Sequence, residues 1–305
     1  MYDLTIIGGG PAGVAAGVYA ARKKLKTLFV TDTWGGQSTV STGIQNWIGT
    51  IEIGGEEFAK VLKAHLDAYK GDVVDVKENE RVISLKKTDQ GFKIKTIKEE
   101  YDSKTVLITT GSHRRKLDIP GAATFENKGI TYCASCDGPL FSGMDVVVVG
   151  GGNAAFETTA QLLAYTKTVT LLNRSENFKA DPVTIEKLSK NPKLKIILNA
   201  VPVEIKGDKF VTGIVYEDAV SKNKVEVAAN GIFVEIGLLP STDYVKDLVK
   251  LNDYNQIIID PRTQETSVTG VWAAGDCTDS IYHQNNIAAG DAVRALEDIY
   301  IHLHA

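Results

Sequence analysis

Cysteine and proline are both scarce in this chain of 305 residues, which contains 3 Cys and 8 Pro. Three cysteines are too few for the disulfide framework of a small secreted protein. Glycine, by contrast, occurs 28 times. Few prolines with many glycines favour tight turns between strands and helices over extended disorder.

Long apolar runs and an excess of positive charge are also missing. No uninterrupted stretch of about 18 apolar residues occurs, so we expect no membrane-spanning helix. Residues 4–21 are apolar, but Asp3 precedes them and "GGGPAG" interrupts them, which indicates a buried strand and helix rather than a signal peptide. The net charge of −4 favours neither nucleic acid nor anionic lipid as a partner. We therefore expect a cytoplasmic protein.

Two segments of the chain follow the same plan. The first begins with "YDLTIIGGGPAG", continues through a helical pattern to "TLFVTD", and then shows alternating strands in "RVISLKK", "GFKIKTI" and "TVLITTG". The second begins with "MDVVVVGGGNAA", reaches "TVTLLNR", and shows strands in "VTGIVYED", "KVEVAAN" and "GIFVEIG". Each segment predicts a βαβ unit, a meander and a further strand, which is typical of a dinucleotide-binding module.

The C-terminal segment has no such plan of its own. "GVWAAGD" predicts one strand, and an amphipathic helix is predicted from about Gln284 to His302. These elements most simply complete the first module. The predicted fold class is α/β, with two Rossmann-like domains of which the second is inserted into the first. The predicted domains are residues 1–117 with 243–305, and residues 118–242, which carry a Cys-x-x-Cys pair.

The first glycine loop matches G-x-G-x-x-G between a strand and a helix. The first glycine allows the tight turn, the second allows close approach of a pyrophosphate, and the third lets the helix pack on the strand. The helix N-terminus offers free N–H groups to the phosphates. A carboxylate after the next strand can accept the ribose hydroxyls. The predicted site comprises Gly8, Gly10, Pro11, Ala12, Gly13 and Asp32.

The second loop matches G-x-G-x-x-A and comprises Gly150, Gly152, Asn153, Ala154 and Ala155. The position that reads the ribose falls on Asn173, where no carboxylate favours the free 2′-hydroxyl of NAD. Arg174 and Lys179 could bind a 2′-phosphate, although both could equally be solvated surface charges. The pattern favours NADPH, with NADH also possible.

Two of the three cysteines lie in "TYCASCDGPL", as Cys133 and Cys136. Structural zinc needs four ligands, and neither Cys277 nor His113 supplies a matching second pair, so no metal site is predicted. A staple closing two intervening residues would remove little chain entropy. A redox-active dithiol accounts best for the pair. For Asp137, acid–base chemistry and a helix N-cap both remain open.

These motifs together resemble those of the low-molecular-weight thioredoxin reductases over essentially all 305 residues. The resemblance rests on "GGGPAG", "GGGNAA", "WGGQ", "QNWIG", "YCASCDG", "IGLLPST" and "WAAGDC", in this order. The sequence is also similar to the flavoprotein component of alkyl hydroperoxide reductase, in which two thioredoxin-like folds precede the flavin module. This sequence begins at the flavin strand, so we expect any redoxin to be a separate protein.

The resemblance implies FAD in the first module and NAD(P)H in the second. It places the positive end of the C-terminal helix at the edge of the flavin where charge accumulates on reduction. It implies that Gly36, Gln37 and Asn46 approach the flavin or its ribityl chain, that Asp276 binds the ribityl–pyrophosphate region, and that Gln284 and Asn285 lie beside the isoalloxazine. Gly111 and Gly275 are implied as cofactor-binding residues without a more specific role.

The resemblance also implies roles for the redox segment. Cys136 would receive electrons from the flavin, Cys133 would attack the redoxin disulfide, and Asp137 would act as acid and base. The predicted protein is thus a homodimeric thioredoxin-disulfide reductase that uses NAD(P)H and serves thioredoxin or a thioredoxin-like redoxin. Alternatives are a reductase for a peroxiredoxin through a separate redoxin, a ferredoxin-dependent thioredoxin reductase, and a flavin redox sensor.

The nucleotide site departs from the family pattern at one place. NADPH-dependent thioredoxin reductases typically carry His-Arg-Arg with another Arg four residues beyond, whereas this chain has Asn173, Arg174, Ser175 and Lys179. Lysine binds phosphate as a point charge and cannot grip it bidentately as arginine does. The intact second glycine loop nevertheless argues for a pyridine nucleotide.

Overall fold

A computed structural model describes residues 1–41, 43–132 and 134–305, with the backbone alone for Val40, Ser135 and Cys136. The strands, numbered along the chain, are β1 (Tyr2–Gly9), β2 (Thr27–Trp34), β3 (Val74–Glu78), β4 (Val82–Thr88), β5 (Gly91–Thr96), β6 (Glu100–Ile108), β7 (Ser112–Arg114), β8 (Ile130–Thr131), β9 (Asp145–Val149), β10 (Thr168–Leu172), β11 (Leu194–Ile197), β12 (Ala200–Gly207), β13 (Val211–Asp218), β14 (Lys224–Ala228), β15 (Gly231–Val234), β16 (Leu238–Pro240) and β17 (Val271–Ala273).

The helices of the described residues are α1 (Pro11–Arg22), α2 (Gly55–Tyr69), α3 (Ala134–Asp137), α4 (Asn153–Tyr165), α5 (Pro182–Ser189) and α6 (Asn285–His304), and the 3-10 helices are Gly36–Val40, Gly138–Phe141 and Asp243–Val245. Within this part of the chain, none of the helices combines the length and the apolar character that crossing a bilayer requires. Strand β7 pairs with β16 in a separate two-stranded sheet.

The chain forms two compact units, residues 1–113 with 239–305 and residues 114–238. The chain passes from the first unit to the second after residue 113, where the sequence suggested 117, and returns after residue 238, where it suggested 242. Both boundaries therefore lie four residues earlier than the sequence suggested. The crossings fall within the short strands β7 and β16, so the chain is still extended where it changes unit.

The first unit is built on a seven-stranded sheet of order β3-β2-β1-β6-β5-β4, with β17 paired to β6. Strands β1, β2, β3, β6 and β17 are parallel, whereas β4, β5 and β6 form the antiparallel meander. Helices α1, α2 and α6 pack on one face through residues at helical spacing, such as Phe58, Leu62 and Leu66 of α2. The other face is covered by a cluster that includes Ile257 and Cys277.

The second unit contains a five-stranded parallel sheet of order β11-β10-β9-β15-β8. Its central strand β9 has the sequence "DVVVV" and is buried along nearly its whole length, as expected of a strand covered on both faces. Helix α4 packs on one face of the sheet around Phe156. The meander β12-β13-β14 is a separate antiparallel sheet here, whereas in the first unit the meander continues the main sheet.

Candidate dinucleotide sites and redox segment

The first glycine loop connects β1 to α1 in a conformation that requires its glycines. Gly8 has φ +120, and a Cβ built on it would lie 2.4 Å from the carbonyl oxygen of Thr109. A Cβ on Gly13 would lie 1.8 Å from the carbonyl oxygen of Gly8, so α1 can approach β1 only because this position is glycine. Gly10 is the N-cap of α1, and a Cβ there would meet nothing within 4 Å. The loop therefore packs closely against the protein at Gly8 and Gly13 and leaves open space at Gly10.

A cavity of about 1170 Å³ lies over this loop, within the first unit. It exceeds the range of about 300–1,000 Å³ that is usual for small-ligand pockets, as a site for an extended dinucleotide should. Asp32, at the end of β2, and Asn285, at the start of α6, border it from different elements. The predicted FAD residues that line it are Gly8, Gly10, Pro11, Ala12, Asp32, Gly36, Gln37, Gly111, Gly275, Asp276 and Asn285.

Three predicted FAD residues do not line the cavity. Gly13 is pressed against Gly8 beneath the loop. Asn46 donates a hydrogen bond from Nδ2 to Oε1 of Gln284 at 3.0 Å, so these two side chains contact each other directly. Gln284 is the N-cap of α6 but makes no side-chain capping bond. The Asn46–Gln284 bond joins the segment after the first 3-10 helix to the start of the C-terminal helix.

Asp276 is the predicted FAD residue with the most perturbed environment. Its side chain is 29% exposed, and burial raises the pKa of its carboxyl group. His283 acts against that shift, with Nδ1 at 3.9 Å from Oδ1 of Asp276. The Nε2 of His283 lies 2.8 Å from the carbonyl oxygen of Ser280. A partly buried carboxylate next to glycine backbone suits hydroxyl groups, which can donate to it without adding charge.

The second glycine loop joins β9 to α4 in the same manner. Gly150 has φ +153, and a Cβ on it would lie 2.3 Å from the carbonyl oxygen of Glu235 and 2.9 Å from Cβ of Ala155. Gly152 is the N-cap of α4 and has open space above it. Asn153, the first residue of α4, accepts a hydrogen bond through Oδ1 from the backbone N–H of Asp181. Both loops therefore place an open N-cap glycine at the N-terminus of a helix.

Asn173, the position that reads the ribose in the sequence pattern, is directed into the protein. It is 4% exposed, and its Nδ2 donates to the carbonyl oxygens of Ser175 and Asn177 at 2.8 and 3.1 Å. It therefore shapes the loop that follows β10. Arg174 and Lys179 lie on this loop, and the N–H of Lys179 donates to the carbonyl oxygen of Gly151 at 2.8 Å. The loop thus brings the backbone of Lys179 beside the second glycine loop.

The redox segment is described in part. Cys133 lies outside the described residues. Cys136 belongs to α3, and the structure describes the backbone of Cys136 but not its side chain. Asp137 ends α3 and is the N-cap of the 3-10 helix Gly138–Phe141, but its side chain makes no capping bond. Instead Oδ2 of Asp137 accepts a hydrogen bond from Oγ1 of Thr131 on β8. Asp137 therefore occupies an N-cap position, but its carboxylate does not cap the helix.

The third cysteine, Cys277, is buried. Cys277 is fully inaccessible, and its Sγ contacts the carbonyl oxygens of Ile108 and Ala274 at 3.7 and 3.5 Å. Burial raises the pKa of its thiol to about 11. A thiol with this pKa is almost wholly protonated near neutral pH, so Cys277 is a packing residue and not a nucleophile.

A polar group beside the second glycine loop has no counterpart among the sequence motifs. Glu235 follows β15, and its carboxylate accepts a hydrogen bond from Oγ1 of Thr158 at 2.8 Å. Nη1 of Arg114 lies 3.6 Å from the other carboxylate oxygen. In the sequence Glu235 lies within an apolar strand pattern and before Ile-Gly, and a single carboxylate in that context carries no motif. Only the strand order shows that it adjoins the glycine loop.

This chain is similar in sequence and in structure to proteins that are already known. The F component of alkyl hydroperoxide reductase in Staphylococcus aureus is 42% identical over 296 residues, which cover 96% of this chain and 57% of that protein. The solved thioredoxin reductase of Lactococcus lactis is 32% identical with a TM-score of 0.81, covering 100% of this chain and 99% of the other. The solved thioredoxin reductase of T. acidophilum is 34% identical with a TM-score of 0.78, at the same coverage.

The family resemblance and the α/β fold class inferred from the motifs are confirmed by these likenesses. The chain spans 57% of the length of the alkyl hydroperoxide reductase relatives that it matches. The sequence profile of the pyridine nucleotide-disulphide oxidoreductases matches residues 2–292. With two strand–glycine loop–helix modules and a match over nearly its whole length, this chain belongs to the pyridine nucleotide-disulphide oxidoreductase family.

Proposed function

We propose that the protein is an FAD-dependent reductase that passes electrons from NAD(P)H to the Cys133/Cys136 dithiol and then to a thioredoxin-like redoxin. The observation that carries the proposal is the cavity of about 1170 Å³ over the first glycine loop, within a chain that holds a second such loop in its other unit. Two dinucleotide sites in one chain suit a protein that takes electrons from one nucleotide and passes them to another.

The residues of the first unit fit FAD. The N-terminus of α1, with no acidic residue in its first turn, offers N–H groups to a pyrophosphate above Gly10. Asp32 at the cavity edge can accept ribose hydroxyls, and Asp276 can accept ribityl hydroxyls. Asn285 and Ala288 bring the positive end of α6 to the cavity, where it favours negative charge. Bound FAD would supply a centre that accepts a hydride and releases electrons to a disulfide.

The residues of the second unit fit a pyridine nucleotide. The N-terminus of α4 also lacks acidic residues in its first turn, and Gly152 leaves space for phosphate oxygens. Asn173 is turned inwards, so we assign a 2′-phosphate to Arg174 and Lys179, the two cations on the loop that follows β10. We propose NADPH as the preferred donor on this ground, with NADH as the alternative that lacks this phosphate.

The redox segment would act by thiol–disulfide exchange. The Cys133 thiolate attacks one sulfur of the redoxin disulfide, forming a mixed disulfide and releasing the other redoxin sulfur as a thiolate. The Cys136 thiolate then attacks Cys133, which releases the reduced redoxin and forms the Cys133–Cys136 disulfide. Asp137, held by Thr131, is the nearest carboxyl group along the segment to move a proton in this exchange.

The partner is proposed from two sets of relatives. Thioredoxin follows from the thioredoxin reductases that match over the whole chain, whereas a redoxin serving a peroxiredoxin follows from the alkyl hydroperoxide reductase relatives. We place the protein in the cytoplasm, where CxxC dithiols act in redox exchange, and propose a homodimer by similarity to the family. The first partner is preferred because its match extends over 99% of the solved reductase chain.

Anaerobic titration of the yellow protein tests the proposal. NADPH or NADH should bleach the flavin absorbance, and oxidised thioredoxin should then restore it while its own disulfide is reduced to two thiols. Cys133→Ser and Cys136→Ser should each retain flavin reduction by nucleotide and lose thioredoxin turnover, while Cys277→Ser serves as the matched control with turnover retained. Failure of both nucleotides to bleach the flavin would contradict the proposed donor. Undiminished turnover in the two CxxC variants would contradict the proposed electron path.

A further inference from the structure

Glu235 occupies a defined place at the edge of the second unit's parallel sheet. It is the first residue after β15, and its N–H donates to the carbonyl oxygen of Val149, the last residue of β9. Its own carbonyl oxygen is the group that a Cβ on Gly150 would meet at 2.3 Å. Glu235 therefore lies at the carboxyl end of the sheet, directly beside the second glycine loop.

The carboxylate of Glu235 is largely shielded from solvent, but its hydrogen-bonding capacity is only partly used. Its side chain is 11% exposed, with Thr158 donating to Oε1 at 2.8 Å and Nη1 of Arg114 at 3.6 Å from Oε2. That second separation is too long for a direct hydrogen bond. Nε of Arg114 is buried and has no hydrogen-bond partner among the described residues. Since a carboxylate can accept about four hydrogen bonds, Glu235 keeps acceptor capacity for a further donor.

The ionised form of the Glu235 carboxylate is energetically unfavourable at this position. Burial raises the pKa of Glu235, although Thr158 and Arg114 act in the opposite direction. A buried charge that is incompletely paired destabilises the fold relative to an apolar residue. A merely structural role for Glu235 would be served better by closer pairing with Arg114 or by an apolar side chain.

The strand order indicates which part of a nucleotide would meet Glu235. A dinucleotide on a doubly wound sheet crosses the strand ends at the glycine loop, with its two halves on opposite sides of the first strand. In this sheet β10 and β15 flank β9. The loop carrying Arg174 and Lys179 follows β10, which assigns the adenosine half to that side. The nicotinamide half then falls on the side of β15, where Glu235 begins the next segment.

We propose that Glu235 is a binding residue for the nicotinamide half, accepting a hydrogen bond from its carboxamide and favouring the positively charged oxidised ring over the neutral reduced ring. This inference rests on the proposed function, because it requires a pyridine nucleotide in the second unit. A negative group on that side lowers the free energy of the cationic ring relative to the neutral one. The residue would therefore bias the site towards the product of hydride donation.

Binding measurements on the flavin-loaded protein test the inference apart from turnover. Dissociation constants for NADP⁺ and NADPH, and for NAD⁺ and NADH, would be measured by calorimetry for wild type and Glu235→Gln. The oxidised nucleotides would be titrated anaerobically against the protein with oxidised flavin and the reduced nucleotides against the protein with reduced flavin, so that no hydride moves in any titration. In the variant we expect the oxidised form to bind about tenfold more weakly, equivalent to about 1.4 kcal/mol, and the reduced form to change less than about twofold.

Two further variants make the result specific. Glu226→Gln removes a carboxylate on β14 that pairs with Lys206, in a different sheet from the glycine loop, and should leave the oxidised-to-reduced ratio unchanged. Glu235→Asp keeps the charge on a shorter side chain and should retain part of the preference, which also covers the case in which the Gln variant fails to fold. Equal weakening of both redox forms, or no change in either, would overturn the proposed role. Wild type that binds neither nucleotide would instead overturn the proposed function itself, and this inference with it.

Discussion

The substitution Gly10→Ala isolates the contribution of the first glycine loop to cofactor binding. Gly10 has φ −81 and ψ −174, a conformation that alanine adopts without strain, and a Cβ there would meet nothing within 4 Å. The protein alone should therefore tolerate the methyl group. Binding of a pyrophosphate at the N-terminus of α1 should be weakened, because the methyl group would occupy the space through which phosphate oxygens reach the helix N–H groups.

The neighbouring substitution Gly13→Ala provides a contrast, because it should lower the stability of the fold itself. Its Cβ would lie 1.8 Å from the carbonyl oxygen of Gly8, which is backbone and cannot rotate away. The helix must then move from the sheet, at a cost to folding of about 1–3 kcal/mol or more. Gly10→Ala should cost the apoprotein about 1 kcal/mol at most, since alanine is only a poorer N-cap than glycine. Its cost should appear in flavin binding, at about 1–3 kcal/mol, which corresponds to about 5- to 150-fold in affinity.

Two measurements separate these effects. Urea unfolding of the flavin-free proteins gives the free energy of unfolding, and titration of the same proteins with FAD, followed by quenching of flavin fluorescence, gives the dissociation constant. The expected pattern is weak binding with near-normal stability for Gly10→Ala, and lowered stability for Gly13→Ala. Gly152→Ala, the matching change in the second unit, should leave FAD affinity unchanged. Wild-type FAD affinity in a well-folded Gly10→Ala protein would refute the assignment of the pyrophosphate to this helix.

Three other results are expected. Replacing both Arg174 and Lys179 with Ala should raise the KM for NADPH about tenfold and leave that for NADH nearly unchanged; equal increases for both nucleotides would show that the cations do not bind the 2′-phosphate. Phe156→Ala should lower the free energy of unfolding by about 3–5 kcal/mol in urea, because the fully buried ring packs edge-on against Phe178 at 4.9 Å. The thiol of Cys277 has a pKa of about 11 against an ordinary 9.0, so the folded state keeps a proton that the unfolded chain loses, and stability falls as pH rises from 9 to 11. Relative to Cys277→Ala, wild type should lose about 2–3 kcal/mol over this range, and parallel pH profiles would contradict this.

Much of the fold could be predicted because each element has a local signal. The apolar strand before each Gly-Gly-Gly, the alternating meander strands and the C-terminal helix all occur where periodicity places them, with α6 beginning at Asn285. What periodicity could not supply was the pairing of the meanders. Strands β4, β5 and β6 extend the first sheet, while β12, β13 and β14 stand apart as a second sheet. Pairing depends on contacts between segments far apart in sequence, which no local pattern records.

The site was predictable where a backbone conformation demands a residue type. Gly8 and Gly150 have positive φ, and Gly13 makes a contact that any side chain would prevent, so these positions are visible in the sequence as glycines at fixed spacing. Side chains that act through orientation are not. Asn173 occupies the ribose-reading position of the motif yet bonds to the backbone of its own loop, and Glu235 reaches the second glycine loop only through the order of strands. A motif specifies a place along the chain, and the direction of a side chain from that place depends on its neighbours.

The two copies of the module differ in the helix that follows their second strand, and this difference bears on how each would hold its nucleotide. In the first unit α2 buries Phe58, Leu62 and Leu66 in the core. Glu56, Lys60 and Lys63 of the same helix line the cavity. In the second unit α5 occupies the corresponding place, but none of its residues is fully buried. A wall anchored in the core encloses its ligand and slows its release, whereas a loosely packed helix leaves the strand edge open to exchange. The first site therefore suits a cofactor that stays bound through many turnovers, and the second suits a nucleotide that enters and leaves in each one. Prolonged dialysis should accordingly leave the flavin in place while removing added nucleotide completely, and the reverse order of loss would contradict the assignment of the two sites.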